Sequence, residues 1–169
     1  MARPRKTTDQ SQTISVSLRI DPKIKFAIDL LAREQKRTIT GVLEWSVMQS
    51  IRNHRVLGRT GEWDQDLSLF EYLEMTWSPI EAHRIAALGA IRPQLLTYEE
   101  SCVFEVIRSI PQIYTHAPPG VDLINYEMLD VYWPLIKDRA LKVLETGSLI
   151  PIDIAEVVEH WKASDFLPD

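Results

Sequence analysis

Cysteine is nearly absent from this chain. Of 169 residues only Cys102 is a cysteine, so neither an internal disulfide nor a zinc site built from cysteines can form. Long apolar runs are also missing, because the longest covers residues 85–91, whereas a membrane-spanning helix needs about 20 residues. The first residues are basic and polar with no apolar segment behind them, unlike a secretory signal. We therefore expect a cytoplasmic protein with no membrane partner.

Catalytic and metal-binding patterns are equally sparse. The four histidines are scattered, and there is no glycine-rich phosphate loop. Glu156 and His160 stand four residues apart and could share a metal, but a solvated helix face explains them more simply. Cys102 precedes Val103 and Phe104, which is typical of core packing and not of a reactive thiol. We expect no enzyme activity, no metal and no cofactor.

Charge is distributed very unevenly along the chain. The formal net charge is −5, but residues 1–60 carry a net +7 and residues 61–169 a net −12. Such asymmetry indicates that one segment binds a polyanion and that the other segment has a different function. Residues 1–12 are basic and almost without apolar side chains, so we predict a flexible basic arm.

Residues 13–20 alternate strictly between polar and apolar side chains, a period that predicts a β-strand. The polar face holds Thr13, Ser15, Ser17 and Arg19, and the apolar face holds Ile14, Val16, Leu18 and Ile20. No comparable strand follows in the sequence. Because an isolated strand leaves its backbone groups unpaired, its simplest partner is the same strand of a second copy.

Two short amphipathic helices are predicted next. Asp21 and Pro22 form a helix start, and apolar residues at helical spacing continue to about Gln35: Ile24, Ala27, Ile28 and Leu31. Thr38 is placed to cap a second helix, whose apolar face is wide and includes Ile39, Val42, Leu43, Trp45, Val47, Met48 and Ile51. So wide a face on so short a unit implies burial against something outside it.

The remainder of the chain reads as helical. We place a boundary at residues 56–64, around Gly58 and Gly61. The domains are then the arm 1–12, a unit at 13–56 and an acidic all-α domain at 62–169. Capping boxes are predicted at Ser78, Thr97 and Asp153, and Gly147 is a predicted helix stop. The predicted helices are 65–76, 79–90, 98–109, 125–146 (broken at Pro134) and 153–163, with a turn at 115–122.

One alternating strand followed by two short helices behind a basic arm resembles the ribbon-helix-helix family of DNA-binding repressors (the Arc/MetJ/CopG-like repressors). The resemblance covers residues 13–54 and rests on the run 15–22, the helix 24–31 and the sequence Arg37-Thr38-Ile39. It implies a mainly α protein in which two copies pair their strands antiparallel and insert the ribbon into the DNA major groove. The acidic helical domain would follow that unit.

The resemblance also assigns roles to individual residues. Arg19 would donate two hydrogen bonds to guanine, and Ser15, Ser17 and Thr13 would contact neighbouring bases. The first turn of the second helix, at Thr38 and Ile39, would bind a phosphate. Arg3, Arg5 and Lys6 would add phosphate contacts. The dimer core would contain Ile14, Val16, Leu18, Ile20, Leu43 and Val47.

This chain departs from the family pattern at two positions. The turn between the helices commonly carries a glycine, but Lys36 occupies that region here. Gly41 lies instead within the first turn of the second helix, where it lowers helix propensity. Both departures concern the turn and the phosphate contact.

The sequence therefore predicts a dimeric, sequence-specific DNA-binding regulator, of repressor type. An antitoxin that also controls its own operon is an alternative, although the C-terminal tails of antitoxins are usually short and residues 62–169 form a long helical segment. A DNA-binding accessory in plasmid transfer or partition is another, and an enzyme is the remotest. A higher oligomer, and a protein or small-molecule partner of residues 62–169, stay open.

Overall fold

The computed structural model describes residues 14–56, 67–116 and 122–153, together with 155, 156 and 159. Within them the chain is mainly helical and divides into two compact units, one ending at Ile51 and one beginning at Arg52. The division lies before the predicted boundary, because residues 54–56 pair with residues 67–69. The Val56 N–H donates to Leu67 O at 3.0 Å and the Leu69 N–H to His54 O at 2.8 Å. Residues 1–12, Gly58 and Gly61 lie outside the described residues.

Two helices form the N-terminal unit. Helix α1 covers Pro22–Gln35 and helix α2 covers Ile39–Asn53, in agreement with the apolar spacing of the sequence. The strand predicted at 13–20 is not formed in this single chain, since residues 14–20 belong to neither a helix nor a strand. A strand is held by hydrogen bonds to a neighbour, and the described residues offer this segment none. Thr13 itself lies outside them.

Four helices form most of the C-terminal unit. They are α3 (Leu69–Thr76), α4 (Glu81–Ile91), α5 (Tyr98–Arg108) and α6 (Tyr126–Thr146). Short 3₁₀ turns at Pro93–Leu95 and Pro111–Ile113 join them. Helix α4 packs against α3, α5 and α6, and α5 packs against α6. Fourteen buried residues of this unit form one core, with Leu129, Tyr132 and Ile136 of α6 at most 1 % exposed.

The sequence predicted an all-α acidic domain, but the structure contains a short strand pair as well. Strands β1 (Tyr114–His116) and β2 (Asp122–Ile124) pair antiparallel, with Thr115 opposite Leu123. Each strand has three residues, too few for an alternating pattern to be recognisable. The predicted turn at 115–122 is therefore partly strand, and its residues 117–121 lie outside the described chain.

Helix starts follow the local sequence at some predicted positions and not at others. The Thr97 capping box is formed, and a box that was not predicted joins Ser68 and Glu71 at the start of α3. The Ser78 box is not formed, because α4 begins after Ile80 without a side-chain cap. The Asp153 box is not formed either.

Near Asp153, the Ala155 N–H donates to Asp153 Oδ1 at 3.3 Å, and the Glu156 carboxylate pairs with Arg139. Of the predicted helix 153–163, residues 155, 156 and 159 are helical and Asp153 is not; its other residues, His160 included, are not described. A capping box needs Glu156 to turn back onto its own helix start. The long-range partner Arg139 takes that carboxylate instead.

Helix α6 runs without a break through Pro134, although the sequence predicted one there. Proline removes one helical hydrogen bond, the one to the carbonyl of Asp130. The flanking side chains of Tyr132 and Ile136 are buried in the core, which holds both halves of the helix in place. Gly147 ends α6 with φ +69°, as predicted for a left-handed cap. No helix among the described residues is long and apolar enough to cross a bilayer.

Candidate nucleic-acid interface

The segment 14–20, directly before α1, is exposed along its whole length. Its apolar side chains are open to solvent: Ile14 is 84 % exposed, Val16 73 %, Leu18 63 % and Ile20 37 %. Ser15, Ser17 and Arg19 alternate with them and are also exposed. Alternating residues of an extended chain point to opposite sides. An extended segment would thus present a hydroxyl-and-guanidinium face and an apolar face.

Asp21 fixes where this segment ends and α1 begins. Its carboxylate accepts from the backbone N–H of Lys23 at 2.8 Å and of Ile24 at 3.4 Å, and Pro22 occupies the first helical position. An aspartate cap satisfies N–H groups that the helix cannot pair itself, and proline needs no partner there. The predicted helix start is confirmed, and Arg19 therefore lies two residues before the cap of α1.

Lys36 forms the turn between the two helices. Its φ of 53° and ψ of 41° lie in the left-handed region, where glycine is the usual residue. The Lys36 N–H donates to Arg33 O at 3.3 Å and the Arg37 N–H to Ala32 O at 3.0 Å, which is the Schellman pattern of a helix end. Lysine thus adopts here a backbone conformation in which glycine is the usual residue.

Thr38 caps α2, as the sequence predicted. Its Oγ1 accepts from the Gly41 N–H at 3.0 Å, and a Cβ on Gly41 would stand 3.2 Å from that oxygen. The N–H groups of Ile39 and Thr40 have no acceptor within the helix. Both Thr38 and Ile39 are exposed. The start of α2 can therefore offer N–H donors and its partial positive charge to an anion.

Arg37 adds a cation at the start of α2, and sequence reasoning missed this residue. It immediately precedes the cap, and its guanidinium lies 5.8 Å from the centroid of the Trp45 ring. A cation beside a helix start is a signal that the sequence contains, and it could have been used. Within the described residues, no hydrogen bond or ion pair joins segment 14–20 to this helix start.

Few apolar side chains of the N-terminal unit are buried. Ala32 and Val42 are its buried hydrophobic residues in the described part, at 9 % and 1 % exposure. Of the predicted dimer core, Leu43 is half-buried and Val47 is 58 % exposed. Other apolar side chains of the unit are between 36 % and 58 % exposed, namely Ile20, Ile24, Phe26, Leu30, Ile39 and Trp45. In one chain, the described residues of this unit do not close around a core.

Phe26 and Leu30 form a second apolar pair that sequence reasoning missed. They are spaced i, i+4 on α1, on the side away from Ile24, Ile28 and Leu31. Their exposed fractions are 58 % and 48 %. The same spacing rule that identified the main stripe could have found them.

The remaining predicted contacts, Arg3, Arg5, Lys6 and Thr13, lie outside the described residues. Groups of three or more histidine, cysteine, aspartate or glutamate side chains that could hold a metal are absent from the described chain. No family model, curated protein or solved structure matches this chain.

Proposed function

We propose that this protein is a dimeric, sequence-specific DNA-binding regulator of repressor type, acting in the cytoplasm. The observation that carries the proposal is segment 14–20. It has one apolar and one hydrogen-bonding side in sequence, stands directly before a capped two-helix unit, and is exposed at every residue in a single chain. The fold expected of the pair is a ribbon-helix-helix dimer.

A second copy of the chain is the simplest cover for the apolar side. Burying a valine, leucine or isoleucine side chain contributes about 1.5–3 kcal/mol, and four such side chains alternate in this segment. Two copies paired antiparallel would satisfy the backbone groups of both segments and bring both apolar sides onto the exposed faces of α1 and α2. The self-complementary alternation supports a two-fold arrangement.

The opposite side of the ribbon has the chemistry that base edges require. Arginine donates two hydrogen bonds to O6 and N7 of guanine, and serine can donate or accept at any base. Six side chains, Ser15, Ser17 and Arg19 from each copy, would face the major groove, which admits a two-stranded ribbon. The exposure of all three supports this assignment.

The start of α2 supplies the contact that would position the ribbon. Its free N–H groups at Ile39 and Thr40, with Arg37 beside them, suit a phosphate oxygen, and such contacts fix register without reading sequence. The net +7 charge of residues 1–60 supports binding to a polyanion. The acidic C-terminal unit, with its own core, is a folded domain, which favours a regulator over an antitoxin with a short tail.

Arg19→Ala tests the base-reading role in the full-length chain. A preferred site is first selected from a random duplex library, and affinities for that site and for random duplex are then measured at one salt concentration. Loss of a bidentate contact should reduce discrimination by about 1–3 kcal/mol in each half-site. Arg19 is exposed, so folding and random-duplex affinity should change little.

Leu18→Ala is the matched control on the apolar side. It should weaken the dimer, measured by sedimentation, and lower specific and random binding together. If Arg19→Ala lowered both affinities equally, Arg19 would be a phosphate contact. If the unaltered chain sedimented as a monomer at micromolar concentration, or bound no duplex, the proposed function would be wrong.

A further inference from the structure

A cleft of about 870 Å³ opens on the C-terminal unit, between the end of α4 and one side of α5. Its size is within the range of sites that hold small organic molecules, about 300–1,000 Å³. It lies wholly in the acidic unit and shares no residue with the DNA interface. The proposed DNA binding does not involve this cleft.

The apolar part of the cleft is built around Gly89. This glycine of α4 leaves room for the Phe104 ring to pack against the helix backbone, and Leu96 and Phe104 line the cleft beside it. Any Cβ at Gly89 would stand 2.3 Å from the Phe104 ring. The helix backbone and an aromatic ring thus meet at one wall, a surface suited to an aromatic or branched aliphatic group.

Two opposite charges line the same cleft from α5. Glu105 and Arg108 are three residues apart, about 4.5 Å along the helix axis, and both are exposed. Their spacing would allow an ion pair with each other, but among the described side chains neither forms an ion pair with anything. A carboxylate and a guanidinium are both left available to a ligand.

We propose that this cleft binds a small zwitterion, an apolar body that carries one ammonium and one carboxylate group. Arg108 pairs with the ligand carboxylate, in the bidentate geometry that guanidinium groups favour. Glu105 accepts from the ammonium group, and the apolar body covers Leu96 and Phe104. A hydrophobic amino acid and a short hydrophobic peptide share this chemistry.

Calorimetric titration of the full-length chain with L-phenylalanine and with leucyl-phenylalanine tests the proposal and separates the two sources. At least one should bind with a dissociation constant below about 5 mM. The C-terminal amide of that probe lacks the carboxylate, and the N-acetyl form lacks the ammonium. Each should bind about five- to tenfold more weakly, as expected for one charged contact in an open cleft.

Arg108→Gln and Glu105→Gln identify the partners of the two ligand charges. Arg108→Gln should weaken the zwitterion about five- to tenfold yet bind the amide as the unaltered chain does. Glu105→Gln should also weaken the zwitterion about five- to tenfold, yet bind the N-acetyl form as the unaltered chain does. Glu99→Gln, an exposed carboxylate on α5 outside the cleft, is the matched control and should leave binding unchanged.

Two outcomes would overturn this assignment. One is that neither probe binds the unaltered chain at about 5 mM. The other is that binding survives unchanged in both cleft variants. Both variants replace exposed side chains, so a circular dichroism spectrum like that of the unaltered chain is expected for each. DNA binding is measured separately and does not depend on either result.

Discussion

Gly89→Ala is expected to destabilise the C-terminal unit, although alanine is the better helix former. The added Cβ would stand 2.3 Å from Phe104 Cδ2 and 2.5 Å from its Cγ and Cε2, more than 1 Å short of an ordinary carbon–carbon contact of about 3.5–4.0 Å. Phe104 is only 8 % exposed, so its ring cannot move without displacing neighbours.

The magnitude follows from two opposing contributions. Overpacking a well-filled core costs about 1–3 kcal/mol, and a clash of this depth belongs at the upper end. Alanine in place of glycine within a helix stabilises the helix by about 1 kcal/mol. We therefore expect a loss of about 2 kcal/mol in the free energy of unfolding, measured by urea denaturation with circular dichroism and seen as a lower midpoint at unchanged slope.

Phe104→Ala provides the decisive comparison. This variant alone should cost about 3–5 kcal/mol, but it removes the three nearest atoms that the new methyl group would meet. In that background Gly89→Ala should stabilise by up to about 1 kcal/mol, so the coupling energy is about 3 kcal/mol. Gly147→Ala is the control, because φ there is +69° with no atom within 4 Å, and its cost should be the same in both backgrounds. Equal effects of Gly89→Ala with and without the ring would refute the close-contact argument.

Three further outcomes are expected. Lys36→Gly should stabilise the N-terminal unit by about 0.5–1 kcal/mol in thermal unfolding. A left-handed non-glycine residue costs about 1–2 kcal/mol, and the greater conformational entropy that glycine loses on folding offsets part of the strain that is relieved. An unchanged or lower stability would contradict the strained turn. Hydrogen bonds from the Ser68 backbone and hydroxyl hold the pKa of Glu71 below its ordinary value of 4.5, so its stabilising effect is complete above that value and is lost as the pH falls through the lower, folded pKa. The stability difference between the native chain and Glu71→Gln should accordingly shrink on acidification from about pH 5, and a difference that stays constant would argue against the capping box. Deleting residues 1–8 removes six of the arm's cations from a dimer and should flatten the slope of log affinity against log salt by about 5 units if all contact phosphates; an altered preferred sequence at an intact slope would mean that the arm reads bases.

Helix ends show which predictions local sequence supports. Asp21 with Pro22, Thr38, Thr97 and Gly147 each act within three or four residues of themselves, and all four occupy the caps expected of them. Ser68 carries the same signature and was missed only because a helix was expected to start before it. The main helices of both units were therefore predictable.

Other local signatures failed where distant residues compete for the same groups. The Asp153 box is lost because Glu156 pairs with Arg139 of α6, and the break at Pro134 does not occur because the core holds Tyr132 and Ile136 on either side. Strands β1 and β2 pair with each other, and each depends on the other for its hydrogen bonds. Three residues have no period of their own, so their pairing was not predictable.

The candidate interface divides in the same way. Sequence alone determined the alternation of residues 13–20, the helix starts at Asp21 and Thr38 and the excess of positive charge, because each depends on the order of neighbouring residues. Only the tertiary structure decided that Lys36 adopts the left-handed turn, that Gly89 meets Phe104, and that Glu105 and Arg108 share a cleft. Lysine carries no local signal for a left-handed turn. The contact of Gly89 with Phe104 and the cleft depend on how helices approach one another, which is set by packing and which no local pattern encodes.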